Sequence, residues 1–154
     1  MSANYLEHFS ASMLQNLQEM AGLEAAASQP AGQETAFASQ GFSVIIGITG
    51  KRPGRIILDT TQETACQLSN TINGEECDEE FVLDTMAELT NIVSGNGITT
   101  VNNANPGMGL MLTPPSIFIG HELTIVSPKL NAEVVTVTTP LGPINLSIGF
   151  EGGK

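Results

Sequence analysis

One segment constrains this chain more than any other: Phe81-Val82-Leu83-Asp84-Thr85-Met86-Ala87-Glu88-Leu89-Thr90-Asn91-Ile92-Val93-Ser94-Gly95. At about 100° of turn per residue, Val82, Met86, Leu89 and Val93 fall within one narrow stripe of a helix. Asp84, Glu88 and Asn91 fall within a second stripe, nearly opposite. The residues bordering that polar stripe, Ala87 and Gly95, are small. Such a helix has to bury its apolar stripe against other elements. It then presents a carboxylate and a carboxamide three residues apart, with little side-chain bulk beside them. The acidic run Glu75–Glu80 ahead of it suits the positive end of the helix dipole. The spacing predicts a helix from the end of that run to about Gly95.

Around this segment the chain reads as helices and β-strands in succession. Asn4 to Met20 is amphipathic, with Leu6, Phe9, Met13, Leu17 and Met20 at three- and four-residue steps, Ser2 or Asn4 as cap and Gly22 as stop. From Glu24 to Gly41 the Ala, Gln, Ser, Gly and Pro content predicts a loose connection with one edge strand near Thr35–Ser39. Phe42–Thr49 and Arg55–Leu58, joined by Gly50-Lys51-Arg52-Pro53-Gly54, predict a hairpin. Thr60-x-x-Glu63 resembles a capping box for a short helix to about Ile72, and Asn73-Gly74 is a strong break. Thr99–Leu110, with three Asn, two Gly and a Pro, gives no clear helical signal. Strands are expected at about Ser116–Ile119, Leu123–Val126, Glu133–Thr138 and Ile144–Phe150, with a turn at Thr139–Pro143 between the last two. The sum is an α+β domain: a mostly antiparallel sheet packed with about three helices.

Composition narrows the function. A chain of 154 residues is sized for one domain, and 41% hydrophobic against 14% charged residues favours a folded globule. Sixteen acidic and five basic residues give a formal charge of −11, which argues against nucleic acid and against anionic membrane surfaces as partners. No stretch approaches the ~18–20 apolar residues of a membrane span, and the first residues lack the pattern of a signal peptide. A cytoplasmic location is expected. Cys66 and Cys77 have no metal-ligand or redox spacing, and Cys66 is expected as a buried free thiol. His8 and His121 have no ligand partner at metal spacing, so packing or surface roles are expected and no metal site. Met13, Met20 and Met86 read as core filler.

Asp84-x-x-x-Glu88-x-x-Asn91 resembles the signature of the CheC/CheX/FliY family of chemotaxis phosphatases, which dephosphorylate the response regulator CheY. The likeness is nearest to the CheX branch and spans nearly the whole chain. It includes Val44-Ile45-Ile46-Gly47-Ile48-Thr49-Gly50, Gly54-Arg55-Ile56-Ile57-Leu58, Thr64-Ala65 and Thr113-Pro114-Pro115. The first helix has no Glu-x-x-Asn of its own, unlike members with two copies, which favours one active centre per subunit. The chain departs from the pattern in Thr99–Leu110, where members continue the helix with longer, more charged turns.

The resemblance implies hydrolysis of the aspartyl phosphate of a CheY-like receiver domain. Glu88 and Asn91 would be the catalytic pair, with Asp84, Ala87 and Gly95 as partner-contacting neighbours. A carboxamide can orient a water for attack on phosphorus without adding charge, as a glutamine does in some GTPases. Glu88 would pair with a receiver lysine; a role as general base is the alternative, though an exposed carboxylate is a weak base near neutral pH. The chain would need no cofactor of its own, Mg²⁺ belonging to the phosphorylated partner, and close relatives pair through their sheets as homodimers. By residue pattern alone, an Asp/Glu/Asn stripe is ordinarily just the wet side of an amphipathic helix. A non-catalytic docking module for a receiver or a flagellar switch component therefore stays open as the other reading.

Overall fold

Phe42–Thr49 buries Phe42, Val44 and Ile48 on the side that meets the helices. This alternation fixes a sheet with one face turned to a helical layer. The computed structural model describes residues 3–33, 36–121, 123–126 and 130–151. Its elements run α1 (Ala3–Ala21), β1 (Ala26–Ala27), β2 (Ala31–Gln33), β3 (Ala36–Ala38), β4 (Phe42–Thr49) and β5 (Gly54–Thr60). They continue with α2 (Gln62–Asn73), α3 (Glu79–Ala104), β6 (Met111–Leu112), β7 (Ser116–Ile119), β8 (Thr124–Val126), β9 (Leu130–Thr139) and β10 (Gly142–Glu151). Eight strands form one sheet in the order β1-β9-β10-β5-β4-β6, with β2 also on β9 and β7 also on β4. Every pairing is antiparallel. A separate ribbon pairs β3 with β8.

The three helices and the sheet share one core. Phe9, Met13 and Leu17 of α1, Leu68 of α2, and Met86, Leu89 and Val93 of α3 close against Val44, Ile56, Leu58, Leu146 and Ile148. Burying each such side chain is worth about 1.5–3 kcal/mol. The opposite face of the sheet is not left wet. Asp59, fully buried on β5, accepts hydrogen bonds from the hydroxyls of Ser39 and Ser43 and the backbone N–H of Gln40. Those bonds pin the segment leading from β3 onto the sheet. Arg55, also buried, donates to Ser147 Oγ at 3.1 Å. Desolvation pushes its guanidinium down to about 10, so it remains cationic at neutral pH.

The α+β architecture, the first helix, the β4–β5 hairpin and the four later strands agree with expectation. Gly22 (φ +67°) closes α1, and the Gly22 and Leu23 amides donate to the Gln18 and Leu17 carbonyls. Ser2 and Thr35 lie outside the described residues, and Asn4 stands inside α1. Outside α3, three details differ. The cap of α2 is Thr61, not Thr60: Thr61 Oγ1 accepts from the Thr64 amide, while Thr60 ends β5 and donates to the Pro143 carbonyl. The connection before Gly41 holds three short strands rather than one. Cys66 is half-buried rather than buried, facing a cavity with Phe42, Val82 and Leu83. Among the described residues no helix is long and apolar enough to cross a membrane.

Candidate functional site

The helix predicted to stop near Gly95 runs on for more than two further turns, to Ala104. At about 1.5 Å per residue its 26 residues make a rod about 39 Å long. Gly95 and Gly97 weaken the helix by propensity, and tertiary packing at Gly97 carries it through them. A Cβ at Gly97 would stand 2.2 Å from Phe9 Cδ1, so α1 comes close to α3 because that side chain is missing. Ser12 Oγ of α1 donates to the Val93 carbonyl at 3.1 Å, which joins the two helices on the buried side of α3. The Asn-rich tail is equally well accounted for. Asn102 exchanges two 3.0 Å hydrogen bonds with the backbone of Leu110, and the Asn105 side chain donates to the Val101 carbonyl at 2.8 Å. These bonds satisfy groups that a helix end leaves open.

The other end is held as firmly. Asp78 caps α3 by accepting from the Phe81 amide at 2.8 Å, and Glu79 and Glu80 occupy the first turn. Asn73 of α2 donates to the Thr85 hydroxyl at 2.8 Å, while Asn70 Oδ1 accepts from the Cys77 amide at 2.8 Å. A rod fixed at both ends and along one flank presents its remaining face rigidly.

That face carries the predicted residues. Val82, Met86, Leu89 and Val93 are buried in the core, Asp84, Glu88 and Asn91 are exposed, and Ala87 and Gly95 are half-buried beside them. Glu88 and Asn91, one turn apart, have Cβ atoms about 5–6 Å from each other. Among the described residues neither side chain has a hydrogen-bond partner, so both are available to an incoming group. A Cβ placed on Gly95 would meet nothing within 4 Å, which leaves open space next to Asn91.

The electrostatics are one-sided. Glu79, Glu80, Asp84 and Glu88 lie along the first half of the helix, and from Leu89 to Gly120 the chain contains no Asp, Glu, Lys or Arg. The described cations Lys51, Arg52 and Arg55 all belong to the β4–β5 hairpin, where Arg52 stacks 5.2 Å over Phe150 and 5.9 Å over Tyr5. No Lys or Arg among the described residues belongs to α3, which carries the site. Among the described residues, no cluster of three or more His, Cys, Asp or Glu has the arrangement of a metal site.

Sequence reading missed the surface beyond Asn91. A groove of about 480 Å³ opens between α1 and the second half of α3, lined by residues that include His8, Gln15, Asn96 and Thr99. The signal for it was the continued polar stripe, in which Thr99 falls within about 20° of Glu88 on the helix circumference.

No curated protein matches the chain at a significant level. Among solved structures, the CheX of the CheX–CheY–BeF3–Mg²⁺ complex from Borrelia burgdorferi is similar, at 29% identity and a TM-score of 0.84, with 96% of this chain and 98% of that one covered. A CheC-like superfamily protein from Shewanella sp. PV-4 is 25% identical with a TM-score of 0.85, over 99% and 100% of the two chains. The chemotaxis protein CheX of Desulfovibrio desulfuricans, at 22% identity, shares the fold, with a TM-score of 0.86 over 96% and 99%. The family model described as chemotaxis phosphatase CheX matches residues 42–139, a span that holds the hairpin, α2, α3 and every strand from β6 to β9. The chain belongs to the CheX family of chemotaxis phosphatases.

Proposed function

We propose that this chain hydrolyses the aspartyl phosphate of a CheY-like receiver domain, with Asn91 orienting the attacking water and Glu88 fixing the docked receiver. The observation that carries this reading is the unpartnered Glu88–Asn91 pair, exposed on a helix anchored at both ends. Family membership and a similar CheX captured with CheY, BeF3 and Mg²⁺ support the receiver as partner. In the reaction, the water oxygen bonds to phosphorus as the bond from phosphorus to the aspartyl oxygen breaks. Aspartate and inorganic phosphate leave, and the proton of the water passes to the phosphate or to solvent. Asn91 holds the water in line by accepting one of its protons in a hydrogen bond. Positioning of this kind is worth several kcal/mol of barrier.

The receiver brings its own Mg²⁺ and cationic side chain, consistent with an α3 that carries no Lys or Arg. Glu88 meets that cation. The acidic first half of α3 favours the same approach, since complementary charge both steers and orients docking. The test is steady-state phosphate release from a phosphorylated receiver encoded in the same genome. Wild type should accelerate release over the receiver's own decay, and Glu88→Ala should raise KM about tenfold with a smaller change in kcat. A receiver that decays at its own rate in the presence of wild type would refute the proposal.

A homodimer belongs to the same reading. Among the described residues the outer edge of β7 pairs with no strand, and Phe118 and Ile119 on it are 46% and 44% exposed. Such an edge suits sheet extension between two copies.

A further inference from the structure

We infer that the groove between α1 and α3 is a second docking element, which takes an uncharged, hydrogen-bonding segment of the same receiver whose phosphoryl group faces Asn91. The inference rests on the function proposed above and adds to it a surface, an orientation and a chemical class of contact. Three observations carry it.

The first is continuity. Thr99 lies about 12 Å along the axis from Asn91, on the same side of the helix as Glu88. A domain of about 100 residues has a radius of gyration near 13 Å. One seated over Asn91 therefore also covers Thr99 and the groove mouth. The second is shape. The groove is a concavity of about 480 Å³ walled by Ala11 and Gln15 on one helix and Asn96, Thr99 and Thr100 on the other. Its floor is fixed, because Ser12 Oγ is committed to the Val93 carbonyl and Asn16 Nδ2 to the Ser12 carbonyl.

The third is charge. In a chain of net −11, the groove lining carries no carboxylate and no Lys or Arg; its titratable member is His8, and Gln15 Nε2 donates at 3.0 Å to Glu19, a carboxylate outside the lining. Charge ends at Glu88 along α3 while the amide and hydroxyl groups continue. The helix is thus divided between an acidic half for a cationic surface and a neutral half for a neutral one. A receiver turned end for end would set its cation against the neutral half and leave the carboxylates unpaired, which selects one orientation.

The experiment places charge of both signs in the groove. Ala11 and Thr99 are exposed helix positions that accept Arg or Glu without strain. Ala11→Arg, Ala11→Glu and Thr99→Arg would be compared with Gln18→Arg, which adds the same charge to α1 outside the groove lining. Thermal melts confirm folding. Each groove variant should raise KM for the phosphorylated receiver about tenfold, with kcat within about twofold and Gln18→Arg near wild type. An unchanged KM in the groove variants would overturn the inference. So would an effect from only one sign of charge, which would mean a charged occupant, or an equal effect from Gln18→Arg. If wild type hydrolyses nothing, the catalytic proposal falls by itself. The same variants are then read by affinity for a receiver carrying beryllofluoride and Mg²⁺, with the same outcomes for and against the groove.

Discussion

Asn91 has Gly95 for a neighbour one turn on, and a Cβ there would meet nothing within 4 Å. Glycine inside a helix costs about 0.5–1 kcal/mol relative to alanine. Gly95→Ala is therefore expected to stabilise the chain by that amount in a urea titration, and a destabilised variant would contradict the open space described here. Gly95→Trp would fill the space beside Asn91, so it should raise KM for a receiver about tenfold, with a thermal melt checking that the fold is kept. Ser94, next in sequence, is the described buried side chain whose hydroxyl finds no partner, which leaves its burial uncompensated. At this scale the sequence was informative. The two opposed stripes of Phe81–Gly95 follow from helix geometry alone, and the exposure of Asp84, Glu88 and Asn91 matches them. What the pattern could not supply was the chemistry of the stripe, since a solvated face and a working face share one periodicity.

Among elements, α3 illustrates where local signals mislead. Gly95, Gly97 and the Asn-rich tail argue for an early stop by propensity, yet the helix reaches Ala104 because α1 packs onto Gly97 and the Asn102 and Asn105 side chains have backbone partners. Propensity is a weak prior against contacts of that kind. The contact is testable. Gly97→Ala should destabilise by about 1–3 kcal/mol through overpacking on Phe9, more than the helix gain offsets. In the Phe9→Ala background, where the ring is gone, the same change should cost nothing further. Strictly additive losses in the double-mutant cycle would rule out the close approach of α1 and α3. Thr61 in place of Thr60 as the α2 cap is a one-residue misreading of two adjacent threonines, either of which has the needed hydroxyl. The two- and three-residue strands β1, β2 and β6 are too short for periodicity to announce, and pairing with β9 and β4 creates them.

For the molecule as a whole, the sheet and helices divide the work. One face of the sheet supports the helical layer that displays the Glu88–Asn91 pair, and among the described residues the outer edge of β7 pairs with no strand. The proposed homodimer predicts a mass of twice the 16.1 kDa chain in light scattering and a shift toward monomer in Phe118→Lys, because a lysine on an edge strand opposes pairing. A wild-type monomer at micromolar concentration would contradict it. The fold class, the hairpin and the helical site were legible because each rests on periodicity or turn chemistry. The groove and the charge division of α3 depend on which helix lies beside which, and that is a tertiary fact.

The most direct test of the central claim is single-turnover loss of phosphate from a phosphorylated CheY-like receiver with wild type and Asn91→Ala. It is paired with the affinity of both proteins for the beryllofluoride–Mg²⁺ form. The account predicts that Asn91→Ala slows the catalysed step about 10²-fold while affinity stays within about threefold, since Asn91 positions water rather than the receiver. An Asn91→Ala protein that dephosphorylates as fast as wild type would contradict the account and leave a docking module in its place.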